Sequence, residues 1–463
     1  MLKINLKNNY FFFFTLLIAL LLSSLISYDN ISFDLYFNDK YKEYSDYFKN
    51  LFSGVENSNQ FNLGTFPIWG YGIVHLLFMN KLNILIFQQL LNFIVILKLD
   101  LFLINVKKIK YVQISRGLML LSLPCFFFHT QMWPKSISSS LLILGIIELF
   151  YYFDLKKTKS LVFAGIFFGL LSNFRSDYLM LIFLMPFLIL LWEFINQENL
   201  KINSIRLFII PVITLILLIP WGVFTLKNTG HYLLKSTNTG HTFFLGLGQL
   251  PGNVWGITPR DDDAIMHQAL VNEFQTEEVK SVGYDENKFL IQEFKKMVIK
   301  NPAEWIKKWL FSFRLLLLDP FYVGNVGDFQ KNGISNIIEI RALEESVYQF
   351  DFEKSISIFL NTQWQFTFKE LIQITVTVLT KIIGLLIFIT SFILILYLLI
   401  KSSGQILKDG VLFLSILIIG HQIAISVFAF HMPVYNNTIY LLYVILIVLF
   451  YEKIFFNQTV DND

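Results

Sequence analysis

The sequence is poor in cysteine, histidine and charge. It has one cysteine among 463 residues, Cys125, which lies inside an apolar run, so an intramolecular disulfide and a cysteine-based metal site are excluded. The seven histidines are scattered, without the paired spacing of a preformed zinc site. Lys, Arg, Asp and Glu make up 15% of the chain, with a net charge of +3 and no basic stripe. Nucleic acid is therefore not an expected partner.

Apolar residues dominate instead. The chain is 55% hydrophobic and 17% aromatic, with a mean hydropathy of +0.57, well above a soluble domain of ordinary composition. A membrane-spanning helix needs about 20 mostly apolar residues. We therefore predict an all-α polytopic membrane protein with about ten transmembrane helices. The candidate runs are residues 10–27, 82–104, 111–130, 136–153, 160–174, 177–194, 205–226, 371–400, 409–430 and 434–455.

The positions of lysine clusters predict which end of each apolar run faces the cytoplasm. Three lysines follow the second run at 107–110, and three more follow the fourth at 156–159. By the positive-inside rule these ends are cytoplasmic. The two long polar segments, 28–66 and 227–370, then share the extracytoplasmic face. We predict a multi-pass protein of the plasma (inner) membrane whose active face is extracytoplasmic.

No internal repeat or Pro-rich linker divides the chain, which favours one membrane domain with polar elaborations. Its parts are a transmembrane module (1–226), a large loop (227–370) and C-terminal transmembrane helices (371–463). Residues 66–79 and 305–318 are apolar but short or interrupted by charge. Each is predicted to be a helix lying at the membrane interface rather than a crossing.

The first loop, residues 28–66, is acidic and aromatic, and it lies where a membrane-surface active site would. Within it, Asp39 and Glu43 are one helical turn apart and would share one face of a helix. Taken alone, such a pair is more often a solvated surface. The following Trp69-Gly70-Tyr71-Gly72, with His75, suits either a sugar-binding lip or an interfacial aromatic belt.

Ionisable residues at membrane depth are functional candidates because an unpaired charge is costly there. The sequence suggests Glu148, Arg175, Asp177 and Lys135. Arg175 and Asp177 interrupt a long apolar stretch at its outer turn, where a guanidinium would hold a lipid-linked phosphate. The alternative is that Arg175 only pairs with Asp177 or faces interfacial water. For Lys135, the alternative is that its side chain reaches the interface without binding a ligand.

The large loop contains no phosphate-binding loop, nucleophile elbow, zinc-protease helix or dinucleotide fingerprint. Binding of a divalent metal, Mg²⁺ or Mn²⁺, by carboxylates remains open.

The order of parts resembles the GT-C superfamily of membrane glycosyltransferases. Within it, the chain resembles the bacterial branch related to protein mannosyltransferases and lipid A aminoarabinose transferases. The likeness lies in DKYKEYSDYFKNLFSG at 39–54, in Pro220-Trp221 near the end of the seventh run, and in NPAEW at 301–305. It covers most of residues 2–318, while the C-terminal third matches only as a hydrophobic topology.

This resemblance implies transfer of a sugar from a polyprenyl-phosphate donor to an extracytoplasmic glycan, lipid or protein, with inversion at the anomeric carbon. Asp39 would be the catalytic base, and Arg175, helped by Lys135, would bind the donor phosphate. The remaining site residues, shaping the acceptor site, would be Glu43, His75, Arg260 and Asp262. Two other functions remain open: a non-enzymatic flippase or transporter of lipid-linked sugars, and an O-antigen ligase or polymerase.

Overall fold

The computed structural model describes residues 10–28, 45–46, 49, 68–78, 80–195, 206, 208–277, 281–323, 334–348, 351–400, 410–429 and 432–460. Within these ranges the chain is helical and contains no strand, which confirms the all-α prediction. Asp39 and Glu43 of the first loop lie outside the described residues, so the roles assigned to them stay predictions.

The helices follow one another in two groups. The first comprises α1 (Tyr10–Tyr28), α2 (Gly70–Phe78), α3 (Lys81–Asn105), α4 (Val112–Leu120), α5 (Leu123–Phe128), α6 (Pro134–Leu155), α7 (Thr158–Phe174), α8 (Leu179–Ile195) and α9 (Ile209–Thr229). The second comprises α10 (Thr239–Gly246), α11 (Ala264–Phe274), α12 (Tyr284–Lys300), α13 (Pro302–Leu318), α14 (Ile337–Tyr348), α15 (Phe352–Asn361), α16 (Phe368–Ile400), α17 (Val411–Phe428), α18 (Pro433–Asn437) and α19 (Tyr440–Val460).

In the described part of the chain, six helices are long and apolar enough to cross a membrane: α1, α3, α6, α9, α16 and α17. Shorter apolar helices occur at Thr158–Phe174, Ser176–Leu191 and Tyr440–Glu452. The protein is thus a multi-pass helical membrane protein, while the predicted number of ten crossings stays a prediction. At the centre of the bundle lies α6, which is buried along most of its length.

Helix α7 packs closely on two neighbours because it carries small residues. A side chain at Gly165 would come within 3.0 Å of Ile213 Cβ on α9, and one at Gly169 within 2.6 Å of Leu217 Cδ1. These glycines are four residues apart, the small-residue spacing that lets membrane helices approach each other. Close packing of α7 on α9 fixes where α7 ends, and with it the turn that follows.

The apolar run at 111–130 is not one helix. It is divided into α4 and α5, because Pro124 lacks an amide hydrogen and restricts the residue before it. The irregular backbone that follows α5 is buried, and side chains of α3 satisfy it. Gln88 Nε2 donates to the carbonyl oxygens of His129 (2.9 Å) and Gln131 (2.6 Å). Non-helical backbone is tolerated inside a membrane protein where such partners exist.

The sequence-based set of membrane-depth charges was incomplete. Glu148 forms an ion pair with Lys98 of α3 (2.5 Å), and Asp100 of α3 forms a buried ion pair with Arg116 of α4 (2.9 Å). Glu148 therefore has a partner in the bundle.

The lysine-rich connections gather at one end of the bundle, as the topology predicts. Lys107, after α3, pairs with Asp154 near the end of α6 (2.8 Å). The backbone N–H of Lys110 donates to the carboxylate of Glu452 in α19 (2.8 Å).

The two predicted interfacial segments are both helical. At nine residues, α2 is about 13 Å long and too short to span a hydrocarbon core of about 30 Å. In α13, Lys307 is exposed, whereas the neighbouring Lys308 is only 1% exposed. Its ammonium donates to the backbone oxygens of Ser426 (3.0 Å), Val427 (3.3 Å) and Ala429 at the end of α17. A buried cation at a helix C-terminus satisfies carbonyls that lack intrahelical partners.

Helices α10 to α12 of the large loop share a small apolar core of their own. Its centre is formed by Phe244, Leu245, Leu270 and Leu290. This loop core meets the bundle where Phe243 stacks on Phe428 at the end of α17, with ring centroids 5.4 Å apart.

Candidate functional site

The candidate site is built around the turn between α7 and α8. Arg175 has an extended backbone that ends α7, and Ser176–Tyr178 form a 3₁₀ turn before α8. The start of α2 is docked against this turn, with Trp69 Nε1 donating to Asn173 Oδ1 (2.9 Å). Gly70 is needed there because a Cβ would lie 2.3 Å from the carbonyl oxygen of Asn173. The turn is thus held by the segment that follows the first loop.

The Arg175 guanidinium is only partly paired. Its Nη2 donates to Asp177 in the same turn, while its Nη1 is buried and has no hydrogen-bond partner among the described residues. The guanidinium carbon lies 5.2 Å from the ring centroid of Tyr435 and 5.9 Å from that of Tyr178. An Arg side chain with a buried, unused donor is suited to an anionic ligand.

Lys135 lies beside the same aromatic ring. Pro134 begins α6, which places Lys135 in the first helical turn, and its ammonium lies 4.6 Å from the ring centroid of Tyr435 and 5.1 Å from that of Trp133. In the described chain no carboxylate or hydrogen-bond acceptor pairs with this ammonium. Tyr435 therefore contacts both cations, and aromatic faces stabilise them without neutralising their charge. We call Lys135, Arg175, Asp177, Tyr178 and Tyr435 the cation cluster.

Helix α17 and the segment after it complete the wall of the cation cluster. His421 of α17 stacks on Tyr178 with centroids 6.4 Å apart and an interplanar angle of 11°. The same imidazole, through Nε2, lies 3.2 Å from the backbone oxygen of Tyr435. The first half of the chain and its C-terminal helices are thus joined at the site.

The large loop begins at the cation cluster. Ser236 and Ser176 hydroxyls are hydrogen-bonded (2.8 Å), and the ammonium of Lys235 acts electrostatically on Asp177. These contacts bring a third cation to the turn and place the loop directly over it.

Farther along the large loop, His241 lies between two hydrogen-bond partners. Its Nε2 is 3.0 Å from Asp261 Oδ1, and its Nδ1 is 2.9 Å from Ser281 Oγ. The hydrogen bond with His241 lowers the pKa of Asp261, whose charge also acts on Tyr435 of the cation cluster. Asp261 is therefore within electrostatic reach of Tyr435 in the cation cluster.

Of the other predicted site residues, His75 lies on α2, edge-to-face with Tyr71 at a centroid distance of 5.2 Å. Burial lowers the pKa of His75 to about 4, so the imidazole is neutral near pH 7. Arg260 and Asp262 are exposed on the large loop. Their neighbour Asp263 is the N-cap of α11, accepting from the backbone N–H of Met266 (2.8 Å). The acceptor-site roles of His75, Arg260 and Asp262 stay predictions.

Several residues of the site were missed in the sequence. Tyr178, His421 and Tyr435 come from separate apolar runs, and Lys235 comes from the large loop. The sequence signal for Tyr435 is the Pro433–Asn437 segment, PVYNN, which places two asparagines and a proline at the start of the last apolar run.

An apolar groove lies beside the site. Helices α13, α16, α17 and α19 enclose a cavity of about 100 Å³, lined by Trp309, Phe313, Phe388, Phe392 and Ile419. Gln422 stands at its wall, next to His421 in the sequence, and donates to Asn436 Oδ1 (2.9 Å) beside Tyr435. Gln422 of the cavity wall and His421 beside the cation cluster are thus consecutive residues of α17.

Within the described ranges, no group of three His, Cys, Asp or Glu side chains is arranged to hold a metal ion. Carboxylate binding of Mg²⁺ or Mn²⁺ stays a prediction, and the acidic first loop, most of which lies outside those ranges, would supply the carboxylates.

Fold and site together define a multi-pass helical membrane protein with a cationic, aromatic-walled site at the end of the bundle where the large loop begins. No protein-family model, curated protein or solved structure matches the chain.

Proposed function

We propose that the protein is an integral membrane glycosyltransferase that moves a sugar from a polyprenyl-phosphate donor to an extracytoplasmic glycan, lipid or protein. The observation that carries the proposal is the pairing of Arg175 and Lys135 on Tyr435, with Arg175 Nη1 buried and unpartnered among the described residues. Burying a donor without an acceptor costs free energy, and a phosphate oxygen would recover it.

Charge supports a phosphate ligand. Arg175 and Lys235 outnumber Asp177 at the turn, and Lys135 adds a basic group beside Tyr435. Cations placed where negative charge develops stabilise the transition state of group transfer. In glycosyl transfer that charge develops on the departing phosphate.

Apolar surface supports a lipid-linked donor. The groove between α13, α16, α17 and α19 presents aromatic and aliphatic side chains to a chain-like ligand, and its Gln422 wall adjoins the cation cluster. A donor with a phosphate on Arg175 and its isoprenoid chain along this groove would enter from the bilayer, whereas its sugar would point to the large loop.

The proposed reaction is a single displacement. The acceptor oxygen bonds to the anomeric carbon, the bond from that carbon to the phosphate oxygen breaks, and its electron pair leaves with the phosphate. Asp39, as the proposed base, takes the acceptor proton. Attack opposite the leaving group inverts the anomeric configuration.

A diphosphate-linked donor, as used by O-antigen ligases, is the second candidate. Lys235 is the observation that favours it, because a third cation near the turn suits a more highly charged head group. Transport is less well supported, since transporter sites are typical of the bilayer midplane between repeats, whereas the cation cluster lies at one end of the bundle.

The test is single-turnover transfer from a panel of synthetic polyprenyl-phosphate sugars, with and without divalent metal, using purified wild type and Asp39→Asn. Asp46→Asn is the matched control, because Asp46 lies in the same loop and pairs only with Lys49 at the surface (3.5 Å) among its described contacts. We expect donor consumption by wild type and the control, and its loss in Asp39→Asn. Full turnover by Asp39→Asn would remove the proposed base, and an intact donor across the panel would favour a diphosphate donor or transport.

A further inference from the structure

Helices α14 and α15 form a hairpin whose polar residues face inward. The hydroxyls of Ser346 and Ser355 are hydrogen-bonded between the two helices (2.7 Å), and both residues are buried. The outward side of α15 carries an apolar stripe that is 59% to 72% exposed, formed by Phe352, Ile356, Phe359 and Leu360. Their spacing of i, i+4, i+7 and i+8 places them on one helical face.

The stripe occupies only part of the outward surface of α15. Exposed polar residues cover the adjoining arc, namely Glu353, Lys354, Ser357 and Asn361. A helix whose free surface is divided into one apolar and one charged arc is typical of a bilayer interface, where the apolar arc enters the acyl region. In water, an exposed patch of this kind would be unfavourable.

The hairpin lies alongside the first half of α16. The backbone N–H of Ser335, just before α14, donates to Glu370 Oε1 (2.6 Å), and Lys381 Nζ pairs with Glu344 Oε1 of α14 (2.8 Å). Glu370 and Lys381 are separated by about 16 Å along a helix. Polar contacts therefore join the α14–α15 hairpin to α16 at two positions along α16.

Helix α16 is itself longer than the bilayer requires. Its 33 residues give a length of about 50 Å, compared with a hydrocarbon core of about 30 Å. Yet its first half also exposes large apolar side chains, including Phe368, Leu371 and Val378. Tilting is the usual response to such excess length, and it would keep this half of α16 in the interface.

Aromatic residues join the two apolar surfaces. Between α15 and α16, Trp364 stacks on Phe366 (5.8 Å between centroids) and donates from Nε1 to the carbonyl oxygen of Phe359 (2.9 Å). Tryptophan is enriched where a membrane protein meets the head-group region. The stripe of α15, Trp364 and the exposed side of α16 therefore form one continuous surface.

We propose that the α14–α15 hairpin lies in the bilayer interface beside α16, with the apolar stripe of α15 among the acyl chains and its polar arc among the head groups. The lipid bilayer is the occupant because the stripe is continuous with a helix that is long and apolar enough to span the membrane. The contacts of Lys381 are consistent with this placement. Its ion pairs with Glu344 (2.8 Å) and Asp319 (3.7 Å) compensate the positive charge, which would be costly close to the acyl region if it were unpaired.

The test uses the full chain in phospholipid vesicles, labelled at single cysteines with the environment-sensitive fluorophore NBD. Phe359→Cys reports on the stripe and Ser357→Cys on the polar arc, both combined with Cys125→Ala. The Cys125→Ala chain, which has no cysteine, measures background labelling. A second pair of single-cysteine variants is Leu360→Cys on the stripe and Asn361→Cys on the polar arc. Elution as a single species in detergent confirms that each variant is folded.

We expect blue-shifted emission at positions 359 and 360, with strong quenching by lipids carrying a nitroxide on the acyl chain, and weaker quenching at 357 and 361. Equal quenching in each pair would overturn the proposal. Blue-shifted but unquenched emission at 359 and 360 would also overturn it, since it would mean that a second copy or another protein covers the stripe. The outcome does not depend on glycosyl transfer.

Discussion

Two of the arginine–aspartate pairs among the described residues differ in how completely the guanidinium is used. Arg116 donates from Nε to Asp100 Oδ1 (3.0 Å) and from Nη2 to Asp100 Oδ2 (2.9 Å). The side chains of Arg116 and Asp100 are 7% and 1% exposed. Arg175 uses Nη2 toward Asp177, which is 49% exposed and only two residues away.

The difference separates a structural ion pair from a candidate ligand site. A bidentate buried pair is already satisfied, so removing one partner harms the fold. A guanidinium with a buried unused donor, next to Lys135, has capacity for a further anion. Charge type and burial alone would not distinguish the two arginines.

The largest effect is expected at the structural pair. Asp100→Ala leaves Arg116 buried without its carboxylate and should lower the free energy of unfolding by about 3–5 kcal/mol. Asp177→Ala removes a more exposed carboxylate and should lower the free energy of unfolding by less. Thermal unfolding of the purified variants in detergent checks both. Equal stability of Asp100→Ala and Asp177→Ala would contradict the distinction between a structural pair at Arg116 and a candidate ligand site at Arg175.

At the candidate site, the expected effect is on transfer and not on folding. Arg175→Ala should lower the single-turnover rate about 100- to 1000-fold, the usual result of removing one positioned donor to developing negative charge. Arg206→Ala, which removes a cation elsewhere in the chain, serves as the control. Wild-type turnover by a folded Arg175→Ala protein would contradict the assignment.

Lys135 should matter less than Arg175, because aromatic rings already stabilise it. Lys135→Gln should weaken apparent donor affinity about tenfold, which corresponds to ~1.4 kcal/mol. Lys135→Arg keeps the charge and should retain most of the affinity. Donor titrations under single-turnover conditions measure these changes, and an unaltered affinity in Lys135→Gln would remove Lys135 from the site.

A pH-dependent effect on stability is expected at Lys308, which joins α13 to the end of α17. Burial lowers its pKa to about 7, compared with about 10.4 in an unfolded chain. The unfolded state then binds more protons between these pH values, so this group makes the free energy of unfolding rise from about pH 7 to about pH 10. Lys308→Met should lose this part of the rise. Unfolding midpoints from pH 7 to pH 10 for both proteins test it, and parallel curves would contradict it.

Hydropathy and charge predicted the features that depend on local sequence. The all-helical membrane architecture follows from long apolar runs, and the gathering of Lys107 and Lys110 at one end follows from their distribution between those runs. Arg175 and Lys135 were selected because each interrupts or begins an apolar run, and the fold brings both to Tyr435.

Features that depend on distant partners were not predicted. The irregular backbone after α5 is accommodated because Gln88 donates to the carbonyl oxygens of His129 and Gln131, and an average over apolar residues contains no such information. Asp100 was not among the predicted membrane-depth charges, because its pairing with Arg116 depends on how α3 and α4 pack. Tyr435 and His421 join the site through contacts between the two halves of the chain.

The most direct test of the central claim is binding of a polyprenyl phosphate without sugar, measured by native mass spectrometry of protein released from lipid nanodiscs. Wild type and Arg206→Ala should retain the lipid phosphate equally, and Arg175→Ala should retain far less. Equal retention by folded wild-type and Arg175→Ala proteins would contradict the claim that the partly paired arginine holds a lipid-linked phosphate.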